Sequence, residues 1–389
     1  MDIVWTAGIA AGLLLLGLAA ERRRLERFRK KVPLRVCVAG TRGKSTVARL
    51  VASILRESGR RVLAKTTGSK PVLILPDGEE REIVRLGPPS VLEQKRVLAL
   101  AAGLGAEAVV AEMMSIRPEY LAVESERIFA PGLLLITNVR LDHVEEMGDG
   151  KAGIAESLAA AISRGATVLV PEEESFPVFE NRARARRAVL RPVPGSDDQA
   201  LFPENVRLAM AVAKALGVDE ATARRGIARA KPDFGGLAVF CLPSPLSGKT
   251  WRFVNAFAAN EPESSARILA ALESRFPFEP EGRIALFALR SDRADRTKQW
   301  LEAFRDGFFA GFSSLVFIGE GAPAAARACR RRRGAEVEVM AVGSRNPESI
   351  MGRLWPLAAG EAQVVGLGNI VGLGAALVET WSAMAGRPE

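Results

Sequence analysis

The fold of this chain is decided by the stretch Leu34-Arg35-Val36-Cys37-Val38-Ala39-Gly40-Thr41-Arg42-Gly43-Lys44-Ser45-Thr46. Residues 34–39 form a mostly apolar run that predicts a buried strand. Residues 47–55 carry apolar side chains at helical spacing, and Gly59 provides a stop for that helix. A strand, a glycine loop and a helix in direct succession are the context that a phosphate-binding loop requires.

The residue types in this loop fit phosphate chemistry. Glycines let backbone N–H groups surround phosphate oxygens, and the N-terminus of the next helix adds positive potential there. We expect Lys44 to reach the terminal phosphates of ATP and Ser45 to bind Mg²⁺. Val38 stands where the usual pattern has a glycine, so the loop is a shortened variant. The predicted nucleotide-binding residues of the loop are Gly40, Thr41, Arg42, Gly43, Lys44, Ser45 and Thr46.

Two further apolar runs end in residues suited to metal or phosphate binding. Residues 108–111 precede Glu112, and a carboxylate at the carboxyl end of a strand beside a phosphate loop is well placed for Mg²⁺. At this stage a solvated loop glutamate explains Glu112 equally well. Residues 133–136 precede the segment 137–143, which ends in His143, the only histidine of the chain. That place favours a metal or phosphate role for His143.

Composition and charge limit the classes of function. Of the 389 residues, 48% are hydrophobic and 25% charged, so the chain is globular and long enough for two to three domains. Its net charge of +9 fits a nucleic acid, an anionic membrane or an acidic substrate. No basic stretch is interleaved with aromatic residues, so we expect no nucleic-acid partner. Three widely spaced cysteines argue against a disulfide framework or a zinc site.

The N-terminal residues predict a membrane anchor. Residues 3–20 carry no charge, and as a helix they would span about 27 Å, close to the thickness of a bilayer core. A basic segment follows, and the positive-inside rule keeps that side in the cytoplasm. A cleaved signal peptide has its positive charge before the apolar run, and a core helix usually has a polar stripe. We therefore expect a single-pass protein of the cytoplasmic membrane, with its catalytic domains facing the cytoplasm.

The alternation of strand-like and helical stretches predicts the domain organisation. Residues 1–32 are the transmembrane anchor with its basic juxtamembrane segment. Residues 33–236 are an α/β domain with a mostly parallel sheet that binds nucleotide at the carboxyl ends of its strands. Residues 237–389 are a smaller α/β domain, and Gly235-Gly236 is a candidate hinge.

The loop, Glu112 and the segment 137–143 together resemble the central domain of the Mur ligase superfamily, whose members join a carboxylate to an amine with ATP. Further segments resemble the catalytic subunits of bacterial poly-γ-glutamate synthases, the PgsB/CapB family. These segments are 64–68, 74–78, 147–148, 231–233, 253–260, 262–264, 290–297 and 366–370. The resemblance covers nearly the whole chain in order, and an N-terminal anchor is expected in that family.

The resemblance implies a reaction and its partners. It implies an ADP-forming amide ligase that polymerises glutamate through γ-carboxyl linkages by way of an acyl phosphate. The cofactors would be ATP and Mg²⁺. The partners would be glutamate, the growing poly-γ-glutamate chain, the membrane and other membrane subunits of a synthase complex.

The resemblance also assigns site residues. It implies that the catalytic residues are Lys44, Glu112, His143 and Arg293. It implies that the ligands of Mg²⁺ are Ser45 and Glu112, joined by Thr66, Thr67 and His143. Asn205 stands where the family contacts adenine, although a helix N-cap or turn asparagine is an equal alternative. Asp292, Arg293 and Arg296 would come from the C-terminal domain to the phosphates or the acidic substrate.

Several positions depart from other branches of the superfamily. Leu158 stands where muramyl ligases carry a carbamylated lysine, which leaves open how a second Mg²⁺ is held. The segment 255–262 also differs from the Asp-x-x-His-Asn-Pro type motif that other branches carry in their C-terminal domain. Asn255 stands in place of the acid, Ala259 stands in place of the histidine, and Glu261 is inserted before the proline. These changes argue against a muramyl peptide ligase and a folylpolyglutamate synthase. Another amino-acid ligase of the superfamily, or a membrane-tethered phosphate-loop NTPase without ligase activity, remains an alternative.

Overall fold

The computed structural model describes residues 2–68, 70–140, 144–174, 176–195, 203–259, 262–275, 282–331 and 337–385, with backbone only at 2–4, 144, 275 and 293–295. The chain divides into two compact units, Met1–Asp233 and Phe234–Glu389. The assignment of 33–236 and 237–389 as ATP-binding and ligase domains stays a prediction.

Eight strands of the described residues form the sheet of the first unit. They are β1 (Leu34–Ala39), β2 (Val62–Thr66), β3 (Val72–Ile74), β4 (Glu80–Glu82), β5 (Ala108–Glu112), β6 (Leu133–Ile136), β7 (Thr167–Pro171) and β8 (Val189–Val193), in the order β4-β3-β2-β5-β1-β6-β7-β8. Two pairings of this sheet are antiparallel, β2 with β3 and β3 with β4, and its other pairings are parallel. The apolar runs of β1, β5 and β6 are buried on both faces, which is typical of central parallel strands. The predicted strand bounds are confirmed for β1 and β6, and β5 includes Glu112.

Helices cover both faces of this sheet. They are α1 (Asp2–Lys31), α2 (Lys44–Glu57), α3 (Leu92–Gly103), α4 (Pro118–Ala122), α5 (Val144–Met147), α6 (Gly150–Ala159), α7 (Pro177–Arg186), α8 (Pro203–Ala215) and α9 (Glu220–Arg229), with a π-helical segment at Val123–Phe129 and a 3-10 turn at Glu172–Glu174. On one face α2 packs against α8 and α9, and on the other the end of α1 packs against α3. Each face therefore has its own apolar core.

The N-terminal helix continues beyond the predicted apolar run. In α1 the residues from Trp5 onward are long and apolar enough to cross a membrane, by length and composition only. The basic segment stays helical because Leu25 and Phe28 pack on the core of the first unit. Arg29 adds a hydrogen bond from Nε to the carbonyl of Ile128 at 3.0 Å. The helix thus enters the folded unit without a linker.

The second unit is a smaller α/β structure. Its strands are β9 (Ala238–Pro243), β10 (Thr250–Asn255), β11 (Arg283–Leu289), β12 (Ser314–Gly319), β13 (Glu338–Val342) and β14 (Ala362–Gly368), in the order β13-β12-β11-β14-β10-β9 with only β9 antiparallel. Its helices are α10 (Pro262–Arg275), α11 (Ala294–Arg305), α12 (Ala322–Arg330), α13 (Pro347–Leu354) and α14 (Ala375–Ala385), with shorter helical turns at Ser291–Arg293, Trp355–Leu357 and Ile370–Gly374. The predicted fold, a mostly parallel sheet in the first unit and a smaller α/β structure in the second, is confirmed.

Candidate functional site

The loop between β1 and α2 has a shape that only its glycines allow. Gly40 has φ +125°, and a Cβ there would lie 2.1 Å from Oγ1 of Thr137. Gly43 has φ +77° and caps α2, and a Cβ there would lie 2.6 Å from Oδ1 of Asn205. Both positions combine a left-handed backbone with close neighbours, so a side chain would open the loop.

The end of β6 holds this loop in place. Oδ1 of Asn138 accepts from Oγ1 of Thr41 at 2.7 Å and from the N–H of Arg42 at 3.0 Å. Nδ2 of Asn138 and Oγ1 of Thr137 donate to the carbonyl of Arg42 at 3.0 and 2.6 Å. Both residues belong to the segment 137–143 but were not among the predicted site residues. Their signal was a pair of polar residues directly after an apolar strand.

The N-terminus of α2 carries a lysine and, within its first turn, no acidic residue. Nζ of Lys44 lies over the loop and donates to the carbonyls of Gly40 and Thr41 at 2.9 and 3.1 Å. Thr46 lies in the same first turn, which contains no acidic residue. Oriented N–H groups, a helix N-terminus and an ammonium group at one point form an anion site suited to phosphates.

Glu112 lies directly beside this loop, because β5 pairs with β1. Its Oε2 accepts from Oγ of Ser45 at 2.7 Å and from the N–H of Thr67 at 2.6 Å. Glu112 is only 3% exposed, so the alternative of a solvated loop glutamate is wrong. The structure therefore brings together three of the predicted metal-site residues, although Thr67 makes its contact through the main chain.

Thr66, which directly precedes Thr67 in the chain, carries a further hydroxyl oxygen. It is fully buried at the end of β2, and its Oγ1 has no hydrogen-bond partner among the described residues. Hydroxyl and carboxylate oxygens are the ligands that Mg²⁺ prefers, so Ser45, Thr66 and Glu112 fit that ion. Within the described ranges no three His, Cys, Asp or Glu side chains could hold a metal. Such a site suits a cation that shares its ligands with nucleotide phosphates.

Asn205 also lies beside the loop. It is inside α8, so the turn interpretation is wrong, and its Oδ1 has no partner among the described residues, so it does not cap the helix. The side chain is 5% exposed and faces Gly43. A buried amide oxygen without a partner fits a hydrogen bond from a bound nucleotide.

Asp233 is an acidic neighbour that the site prediction missed. A Cβ on Gly68 would lie 2.7 Å from Oγ of Ser45 and 2.8 Å from Oδ2 of Asp233. Nε of Arg49, on α2, lies 3.4 Å from the other carboxylate oxygen. In the sequence, Asp233 belongs to the segment 231–233, which resembles the PgsB/CapB family, and that resemblance could have marked it as a site residue.

The remaining predicted residues lie elsewhere. His143 is outside the described residues, and so is the side chain of Arg293. In the second unit, Asp292 is exposed and accepts from Nη2 of Arg290 at 2.8 Å, and Arg296 lies on α11. Their roles stay predictions. Leu158 is buried in the apolar core of the first unit, so in this chain that position serves packing.

Comparisons with known proteins agree with this geometry. The model of the Mur ligase middle domain matches residues 38–184, and that of the poly-γ-glutamate synthase CapB C-terminal domain matches residues 244–384. The protein "PGA synthase CapB" of Bacillus subtilis (strain 168) is 33% identical over 82% of both chains. The "Capsule biosynthesis protein CapB" of Bacillus anthracis is 30% identical over 97% of this chain and 83% of the relative. This chain belongs to the CapB family.

Solved structures show the same fold. Escherichia coli FolC in complex with DHPP and ADP aligns with a TM-score of 0.65 at 18% identity, over 93% of this chain and 91% of FolC. The CapB family member described here is thus an ATP-dependent amide ligase with a Mur-ligase-like fold.

Proposed function

We propose that this chain polymerises glutamate through its γ-carboxyl group, with ATP converted to ADP. The relatives named for PGA and capsule synthesis support the substrate. The observation that carries the proposal is the contact of Glu112 with both Ser45 and Thr67 beside the phosphate loop. This arrangement offers a cation and a nucleotide adjacent places at the carboxyl edge of one sheet.

In this proposal the loop residues bind and polarise ATP. Lys44 and the loop N–H groups neutralise the negative charge of the phosphates, and Asn205 contacts the base. Mg²⁺ would be held by Ser45, Thr66 and Glu112, with Thr67 orienting that carboxylate through its N–H, and it would reduce the charge repelling an incoming carboxylate. His143 belongs to the same proposed metal site.

The reaction has two proposed steps. A γ-carboxylate oxygen of glutamate attacks the γ-phosphorus of ATP, and ADP leaves with the electrons of the broken bond. The amine of another glutamate, or of the growing chain, then attacks the acyl carbon and loses a proton, and phosphate leaves. Asp292, Arg293 and Arg296 would bind phosphates or the acidic substrate in these steps. Water must be excluded, because it would hydrolyse the acyl phosphate.

We also propose that α1 spans the cytoplasmic membrane, with both units in the cytoplasm. The basic residues that follow its apolar run support this orientation. Other membrane subunits of a synthase would complete the assembly.

The decisive test uses glutamate labelled with ¹⁸O in its γ-carboxylate. The purified full chain in detergent is incubated with MgATP, and partner subunits are added if it is inactive alone. An acyl-phosphate route transfers one ¹⁸O to the released phosphate and forms γ-linked product. Lys44→Ala is the inactive control, and labelled α-carboxylate is the matched substrate control.

Each other outcome has a defined meaning. ATP hydrolysis that ignores glutamate and forms no amide, even with partners present, would contradict the proposal and favour the NTPase alternative. Amide formation with another acid or amine, but not with glutamate, would favour a different ligase of the superfamily. Formation of γ-linked product without ¹⁸O in the released phosphate would exclude the acyl-phosphate intermediate but not the polymerisation of glutamate.

A further inference from the structure

Two consecutive residues of α3 connect the N-terminal helix to the candidate metal site. Lys95 forms an ion pair with Glu21, the first charged residue after the apolar run of α1. Nε2 of Gln94 donates to the main-chain oxygen of Glu112 at 3.1 Å. Gln94 and Lys95 are neighbours in α3, so Glu21 at the end of the apolar run of α1 and Glu112 at the end of β5 contact the same turn of α3. We call this level along α3 the same height.

The contacts also fix the direction of α3. Farther along both segments, the N–H of Leu34 donates to the carbonyl of Glu107 at 3.2 Å. The first contact joins Glu21 to Lys95, and the second joins Leu34 to Glu107. Both segments therefore pass the first contact before the second. The segments therefore run side by side in the same direction, and the N-terminal end of α3 points toward the apolar part of α1.

The loop at this end of α3 is apolar and exposed. Val84 and Leu86 are 81% and 103% exposed, and Leu92 in the first turn of α3 is 54% exposed. Together with Leu100 they border a groove of about 520 Å³. Single exposed apolar residues are ordinary, but a contiguous set marks a contact surface. Leu92 precedes Lys95 by three residues, so it lies about 4.5 Å farther toward the apolar end of α1.

We propose that residues 83–92 rest on the bilayer that α1 spans, so that the carboxyl edge of the first sheet, with the ATP site, faces the membrane. This inference rests on the proposed anchoring by α1. Lipid is the occupant because the surface begins at the height where α1 leaves its apolar run. Arg22, Arg23 and Arg24, directly after Glu21, would meet anionic headgroups at that same height. Polymer would then be made next to the membrane.

The test places one fluorescent NBD label at a time on the full chain in vesicles of phosphatidylcholine and phosphatidylglycerol. Cys37 and Cys329 are buried, and the partly exposed Cys241 is replaced by serine. Leu86→Cys reports on the loop and Leu13→Cys on the anchor. Gly103→Cys is the matched control, because it is exposed at the opposite end of α3 and a Cβ there meets no atom within 4 Å. Quenching is measured with nitroxide-labelled lipid and with aqueous iodide.

We expect lipid quenching at positions 13 and 86, several-fold stronger than at 103, and iodide quenching at 103. If 13 is quenched by lipid and 86 behaves like 103, the surface proposal is wrong and the anchor stands. If 86 is shielded from both quenchers, protein covers the loop and lipid contact is overturned. If 13 is not quenched by lipid, the anchor and this inference both fail. None of these outcomes depends on ligase activity.

Discussion

Nζ of Lys65 lies 2.8 Å from Oε1 of Glu93, although the side chain of Lys65 is fully buried. Arg85 lies 2.8 Å from the other oxygen of Glu93. Burial lowers the pKa of Lys65, and the bond to Glu93 opposes that shift. Burial raises the pKa of Glu93, but hydrogen bonds from Arg85 and Lys65 outweigh it, and the pKa falls to about 2. Since Lys65 directly precedes Thr66, this charge cluster fixes the strand end at the candidate metal site.

Glu93→Gln should lower the free energy of unfolding by about 3 kcal/mol, because breaking a buried ion pair leaves a charge uncompensated. The folded pKa of Glu93 lies below its usual value of 4.5, so its stabilisation is complete above that value and is lost as the pH falls toward 2. In thermal unfolding at neutral and acidic pH, the wild type should therefore lose more stability on acidification than Glu93→Gln. The control is Glu79→Gln, which breaks an exposed pair with Arg81. Equal losses in the two variants at neutral pH would contradict the prediction.

Glu112→Gln should reduce ATP turnover about a hundredfold or more, because the amide keeps the shape of the side chain but not the charge that we propose holds Mg²⁺. Raising the Mg²⁺ concentration should restore part of the activity. Glu107→Gln, at the exposed start of the same strand region, should leave turnover unchanged. Full activity of Glu112→Gln at low Mg²⁺ concentration would show that Glu112 is not a ligand of the metal ion.

Thr66→Val should leave the stability of the nucleotide-free protein unchanged or higher, because the buried Oγ1 has no partner to lose among the described residues. The same change should weaken the rise in Tm that Mg²⁺ with a non-hydrolysable ATP analogue produces. Thr137→Val is the matched comparison and should destabilise the free protein, since its hydroxyl donates to the carbonyl of Arg42 at 2.6 Å. If the analogue still stabilises Thr66→Val fully, Thr66 has no role at the cation.

Gly40→Ala should abolish nucleotide binding, because its Cβ would lie 2.1 Å from Oγ1 and 2.9 Å from the main-chain nitrogen of Thr137. Gly59→Ala also places alanine at positive φ, but its Cβ meets no atom within 4 Å. It should cost about 1 kcal/mol of stability and leave binding intact. Calorimetric titration with an ATP analogue compares the two variants, and similar affinities would show that the close approach to Thr137 does not shape the loop.

Much of the site was predictable from local patterns. Apolar runs of six and four residues gave the strands β1 and β6 with their bounds, and the glycines marked the loop between β1 and α2. The exposure of Glu112 and the capping role of Asn205 could not be decided in the same way. Both depend on which distant segment covers the side chain, and local propensity carries no information about that.

The sequence by itself determined the α/β class, the phosphate loop, the apolar length of α1 and the carboxylate at the end of β5. These follow from short-range rules, namely the periods of helices and strands and the backbone freedom of glycine. Only the tertiary structure decided that Ser45, Thr67 and Glu112 meet, that Asn138 holds the loop, and that Asp233 lies beside Arg49 of α2. It also decided that α1 and α3 run side by side. Each of these contacts joins distant parts of the chain, so it exists only once the parallel strands have set their order and register.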